Sequence, residues 1–166
     1  MNTLPKADPA PTDVRAAGSW NTDLVSVYRE RYSALVRLAY LLTGHAAVAE
    51  EIVQDAFVAS HRARDRLRDP ASYVRSAVVN RCHSWGRRDK VEREHRPRPP
   101  DPADLHADEM RDALSVLTER QRIAIVLRFY EDMPDEQIAE VLDCRRATVR
   151  SAIHRGLQSL RRVIDP

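Results

Sequence analysis

The sequence predicts an all-α protein: two small helical domains joined by a proline-rich linker, the second a helix-turn-helix domain. Three observations carry this. Apolar residues recur at helical spacing along most of the chain, and no sustained strand-like alternation appears. Pro97, Pro99, Pro100 and Pro102 crowd into one short stretch that cannot be helix and divides the chain. Charge separates sharply near the C-terminus. Glu131 to Asp143 holds six acidic residues and no basic one, whereas Cys144 to Ile164 holds six arginines and no acid.

The elements follow in order. Residues 1–19 contain Pro5, Pro9 and Pro11 but no apolar core, so they read as a disordered lead-in and not a secretory signal. Trp20 to Thr43 carries a helical stripe of Leu24, Val27, Tyr28, Leu35, Leu38 and Leu42, with Gly44 as a stop. Ala46 to about Arg66 repeats the pattern through Ala49, Ile52, Val53, Ala56 and Phe57. Asp69-Pro70 then opens a third helix, since proline suits a first helical turn. Its stripe is Tyr73, Val74, Ala77, Val78 and Trp85, with an end expected near Gly86. Three such stripes can be buried only against one another, which makes 20–90 a helical domain.

Residues 91–108 read as the linker, extended and semi-rigid. The second domain, 109–166, starts with a short helix from Met110 to Leu117. Thr118 and Gln121 have capping-box spacing for the next helix, whose stripe is Ile123, Leu127 and Tyr130. Pro134 opens a helix bearing Ile138, Val141 and Leu142. The last helix uses Val149, Ile153, Leu157, Leu160 and Ile164.

The last two helices have the parts of a helix-turn-helix. Ala139 is the small residue at the crossing, Ile138, Leu142 and Val149 are anchors, and Asp143 takes the turn position where glycine is usual. Arg145, Arg146, Arg150, Ser151, His154 and Arg155 lie outside the apolar stripe and could reach DNA. Arginine-rich helices supply the sequence-independent attraction to phosphates. In the first domain, Glu50, Glu51, Gln54 and Asp55 make an acidic-polar face opposite Ile52, Val53 and Phe57. His61 to Arg68 and Asn80 to Arg88 are basic. Two faces of opposite charge suggest one protein partner and one nucleic-acid partner.

Other chemistry finds no footing. Glu92 and His95 have the spacing of a di-iron ligand pair, but in one copy beside the linker, and such a site needs several converging helices. No Ser-His-Asp pattern or glycine-rich phosphate loop occurs. We therefore expect no enzyme activity, cofactor or metal. No apolar run approaches the roughly 18 residues of a membrane span, so no membrane insertion is expected. Cys82 and Cys144 form no CxxC pair and read as reduced thiols of a cytoplasmic protein.

Four stretches in order carry a resemblance. They are Y-R-E-R-Y-S-A-L-V-R-L-A-Y-L-L-T-G (28–44), A-E-E-I-V-Q-D-A-F (49–57), D-P-A-S-Y-V-R-S-A-V-V-N-R-C (69–82), and L-T-E-R-Q-R-I-A-I-V-L-R-F-Y-E-D-M-P-D-E-Q-I-A-E-V-L (117–142). Together with the arginine-rich helix they resemble bacterial RNA polymerase sigma factors of the extracytoplasmic-function group. The resemblance implies that Glu50, Glu51, Gln54 and Asp55 dock on the β′ subunit of core polymerase. It implies that Arg62, Arg64, Arg66, Arg68, Asn80, Arg81, Arg87 and Arg88 engage the minus-ten element. The helix-turn-helix would read the minus-thirty-five element beside the β subunit. Promoter DNA and an anti-sigma factor are further implied partners. The alternative is a stand-alone helix-turn-helix regulator with a helical ligand or dimerisation domain, which leaves the first domain's basic face unused.

Overall fold

The computed structural model describes residues 14–93 and 105–164, with side chains over 23–90 and 109–164. His95 and the four linker prolines lie outside the described residues. Within them are seven α-helices and no strand: α1 (Val14–Thr43), α2 (Ala46–Ala63), α3 (Pro70–Arg93), α4 (Leu105–Ser115), α5 (Glu119–Phe129), α6 (Asp135–Val141) and α7 (Arg146–Ile164). A 3-10 turn, Arg64–Arg66, follows α2.

The helix ends follow local chemistry. Gly44 closes α1 at φ 75°, its amide donating to Tyr40 O at 2.7 Å. Asp69 caps α3, accepting the Ser72 amide at 3.1 Å, and Pro70 fills the first position, where no amide is needed. Thr118 and Gln121 close the expected capping box on α5. Asp143 sits at φ 47°, the left-handed geometry expected at that turn. The Cys144 and Asp143 amides donate to Ala139 O and Glu140 O at 3.0 and 3.2 Å, a Schellman ending that turns the chain into α7.

Three boundaries differ from expectation. The lead-in assigned to 1–19 is already helical from Val14, where Ala16 and Ala17 favour helix and Gly18 costs only about 1 kcal/mol. Helix α3 does not stop at Gly86 but runs to Arg93, and α4 starts at Leu105 rather than Met110, since Leu105, Ala107 and Glu109 all favour helix, so the segment between helices is shorter than 91–108. One isolated glycine does not end a helix, and Gly86 has a packing reason. A Cβ there would lie 2.8 Å from Glu119 Oε1.

Helices α1, α2 and α3 bury Leu38, Val53, Val74, Val78 and Val79 against one another. Helices α5, α6 and α7 do the same with Ile123, Leu127, Ile138 and Val149. The buried residues of the two units join into one continuous cluster. Polar links also cross between them. His83 Nδ1 meets Glu119 Oε1 at 2.7 Å, and Arg75 pairs with Glu131 at 3.7 Å. Burial pushes the Glu131 carboxyl above its ordinary range, against the opposing pull of Arg75 and Arg31. Arg122 donates to Leu42 O in the first unit and to Leu114 O and Leu117 O in the second. The Cys82 thiol is buried and pushed up to about 12, so it is inert as a nucleophile.

Gly156 brings α7 onto α5. A Cβ there would sit 2.5 Å from Ile125 Cδ1 and 3.3 Å from Gln121 Cβ. Gly156→Val is expected to lower the unfolding free energy by about 1–3 kcal/mol, because a branched side chain overpacks this contact. Chemical denaturation with helicity as readout checks it. Equal midpoints would mean that Ile125 moves aside without cost.

Candidate nucleic-acid interface

Helix α7 has two sides. Val149, Ala152 and Gly156 are buried against α5 and α6. Arg145, Arg146, Arg150, Ser151, His154 and Arg155 are all exposed. The apolar period thus places every polar side chain named for DNA contact on the solvent side. Ser151 Oγ donates to Ala147 O at 2.9 Å, and His154 Nε2 lies 3.1 Å from Gln158 Nε2.

Two of these arginines are already held. Arg150 Nε donates to Asp135 Oδ2 at 3.1 Å, and Arg128 Nη1 reaches Asp135 Oδ1 at 3.3 Å. Arg146 Nε meets Glu136 Oε1 at 3.1 Å. Sequence reasoning missed Asp135, Glu136 and Arg128 as parts of this surface. The available signal was the acidic first turn of α6, directly before an acid-free helix.

The second basic region lies in the first unit. Arg62, Arg64, Arg66 and Arg68 are exposed along the end of α2, the 3-10 turn and the loop after it. Arg64 Nη1 donates to His61 O at 3.0 Å. Asn80, Arg87 and Arg88 are exposed on α3, Asn80 and Arg87 standing two turns apart on one side. Arg81 is half-buried and donates to Ala77 O at 3.3 Å. His83, within the same stretch, faces the second unit through Glu119. On α2, Glu50, Glu51, Gln54 and Asp55 are all exposed, while Ile52, Val53, Ala56 and Phe57 are buried. That face is flanked by exposed Val58 and an apolar groove lined by Leu24, Val25, Tyr28 and Phe57.

Comparison with known proteins matches both units. Residues 27–91 match the family model for sigma-70 region 2, and residues 107–160 match that for sigma-70 region 4. The chain is 32% identical over 147 residues to the RNA polymerase sigma-E factor of Streptomyces avermitilis, covering 82% of each chain. It is 29% identical over 165 residues to the ECF RNA polymerase sigma factor SigE of Mycolicibacterium smegmatis, covering 90% of this chain and 63% of that one. Among solved structures it resembles the sigma factor RpoE of Bartonella quintana, crystallised with the anti-sigma factor NepR. The TM-score is 0.68 at 21% identity, over 88% of this chain and 96% of that one. At that identity the likeness is one of fold.

Proposed function

The chain belongs to the bacterial RNA polymerase sigma factors, in their extracytoplasmic-function group, and from that premise we propose how its surfaces divide the work. The α2 face of Glu50, Glu51, Gln54 and Asp55 docks on the β′ subunit of core polymerase. Arg62, Arg64, Arg66, Arg68, Asn80, Arg81, Arg87 and Arg88 hold the minus-ten element. Arg145, Arg146, Arg150, Ser151, His154 and Arg155 hold the minus-thirty-five element, with the helix-turn-helix beside the β subunit. Arg150 reads a base, since it lies one turn inside α7. Arg155 and Arg161 contact phosphate. Work on promoters inside the cell fits a chain in which no described helix is long and apolar enough to cross a membrane. The role is binding and positioning, not catalysis. An anti-sigma factor is a further partner, as for the Bartonella relative.

The observation that carries this reading is α7, with an apolar back buried in the domain, five of those side chains on its open side and the sixth, Arg145, exposed just before its start. The stand-alone regulator reading gives no task to the matched region 2 over residues 27–91. Run-off transcription with purified core polymerase tests the proposal. Promoter-specific transcripts are expected only when this chain is added. Tight duplex binding by the chain alone, with no transcripts beyond those of core, would favour the regulator.

A further inference from the structure

We propose that Asp135 is a positioning residue for promoter reading: it fixes the Arg150 guanidinium so that its terminal fork faces the DNA. This rests on the reading of Arg150 as a base contact. A guanine edge offers two acceptors, O6 and N7, and a guanidinium meets both end-on with its two terminal nitrogens. Nε is then left over, and a carboxylate bound there settles the plane of the group without occupying the fork. Arg150 is held in this way, through Nε on Asp135 Oδ2 at 3.1 Å.

The setting supports a fixed carboxylate. The Asp135 side chain is 16% exposed, whereas that of Arg150 is 64% exposed, so the anchor is sunk and the fork stands out. Arg128, on α5, holds the other oxygen at 3.3 Å and also donates to Met133 O at 3.4 Å. Asp135 thus ties α5 to α7 through its two oxygens. Arg146 repeats the arrangement on Glu136 through Nε, but both side chains there are more than half exposed, and solvent weakens such a pair.

A plainer role for Asp135 is an acidic residue at a helix start, which favours the helix dipole. That accounts for an acid in the first turn of α6 but not for one carboxylate bridging two arginines from two other helices. The two roles differ in what they affect. Helix-end stabilisation acts on folding. Positioning acts on discrimination between base pairs, because a side chain ordered beforehand loses less freedom when DNA arrives.

The test uses the full chain in holoenzyme and a duplex library randomised over the upstream element. Asp135→Ala, Asp135→Asn, Arg150→Ala and the Asp135→Ala/Arg150→Ala double variant are compared with the original chain. Asp135→Ala is expected to reduce discrimination roughly threefold to tenfold at the same base pair that Arg150→Ala relaxes. Binding to unrelated sequences should hold or rise, since a negative charge near phosphate is lost. In the double variant the loss of Asp135 should add nothing further to the loss of preference. Asp135→Asn keeps the shape and a neutral acceptor, so an intermediate loss is expected even if the Ala variant folds poorly. If Arg150→Ala relaxes preference and neither Asp135 variant does, the positioning role is overturned while Arg150 remains a base reader. A uniform drop over all sequences with a lower melting temperature would assign Asp135 to the helix end alone and likewise overturn it. If Arg150→Ala itself leaves the preference intact, the base-reader assignment fails, and this inference with it.

Discussion

Glu51→Arg combined with Asp55→Arg is expected to abolish co-purification with core polymerase while the chain stays helical. The two residues lie one turn apart on the exposed side of α2, beside Glu50 and Gln54. Their backs are the buried Ile52, Val53 and Ala56, so the substitutions leave the core untouched. Arginine is a good helix former, and exposed substitutions usually change stability by less than about 0.5 kcal/mol. At an interface the sum is different. Two attractions to a basic partner become two repulsions, and like charges brought together there cost several kcal/mol. A loss of about 4 kcal/mol is roughly a thousandfold in affinity, enough to empty a pull-down at micromolar concentrations. Helicity of the free variant, measured beside the pull-down, separates lost docking from lost fold. Unchanged co-purification would remove this face from the docking surface and leave the apolar groove beside it as the place to look.

The fold was largely legible because its signals are local. The Thr118 and Gln121 box, Pro134 before α6, and Asp143 at the turn each act within a few residues of themselves, and each stands where the spacing put it. Apolar periodicity likewise placed the buried sides of α1 and α2, apart from the exposed Tyr28. On α7 only Val149 of the expected stripe is buried; Leu157 and Ile164 are exposed, because the small Ala152 and Gly156, which carry no strong apolar signal, form the contact instead. Position 86 misled because a glycine is a stop only when the chain needs left-handed backbone there. Here the missing side chain serves the approach of Glu119 instead. Asp132, at φ 52°, gave no glycine or asparagine to mark its turn. Contacts between the units were not legible at all. His83 and Glu119 are 36 residues apart, and Arg122 reaches Leu42 O across 80. No period links such positions, and an arginine in a surface-like sequence does not reveal that it serves three carbonyls. The arginine face was legible from the stripe behind it. Its pairing with α6 was not, since Asp135 and Arg150 are 15 residues apart on different helices.

Replacing Arg145, Arg146, Arg150 and Arg155 together by alanine is expected to remove promoter engagement by the holoenzyme. All four are exposed, and alanine is the best helix former, so α7 should persist. The Arg146–Glu136 pair is solvent-facing and contributes at most about 1 kcal/mol, and the sunken Asp135 keeps Arg128 as a partner when Arg150 is lost. The losses at the DNA are larger and of two kinds. A fork on guanine is worth roughly 1–3 kcal/mol and carries preference at one base pair. An arginine on phosphate carries no preference, but each one lost flattens the dependence of log affinity on log salt by about one unit. With Arg150 as the fork and the others on phosphate, the salt slope should fall by about three units and the preferred upstream sequence should disappear. Single variants then sort the contacts, because Arg150→Ala should relax one base pair and Arg155→Ala should weaken all sequences alike. Core binding through α2 should survive the quadruple change, so co-purification with polymerase acts as the internal control. A quadruple variant that still selects the same promoters with the same salt slope would leave α7 as a solvated basic face, and the helix-turn-helix would have to be sought as a protein-binding element instead.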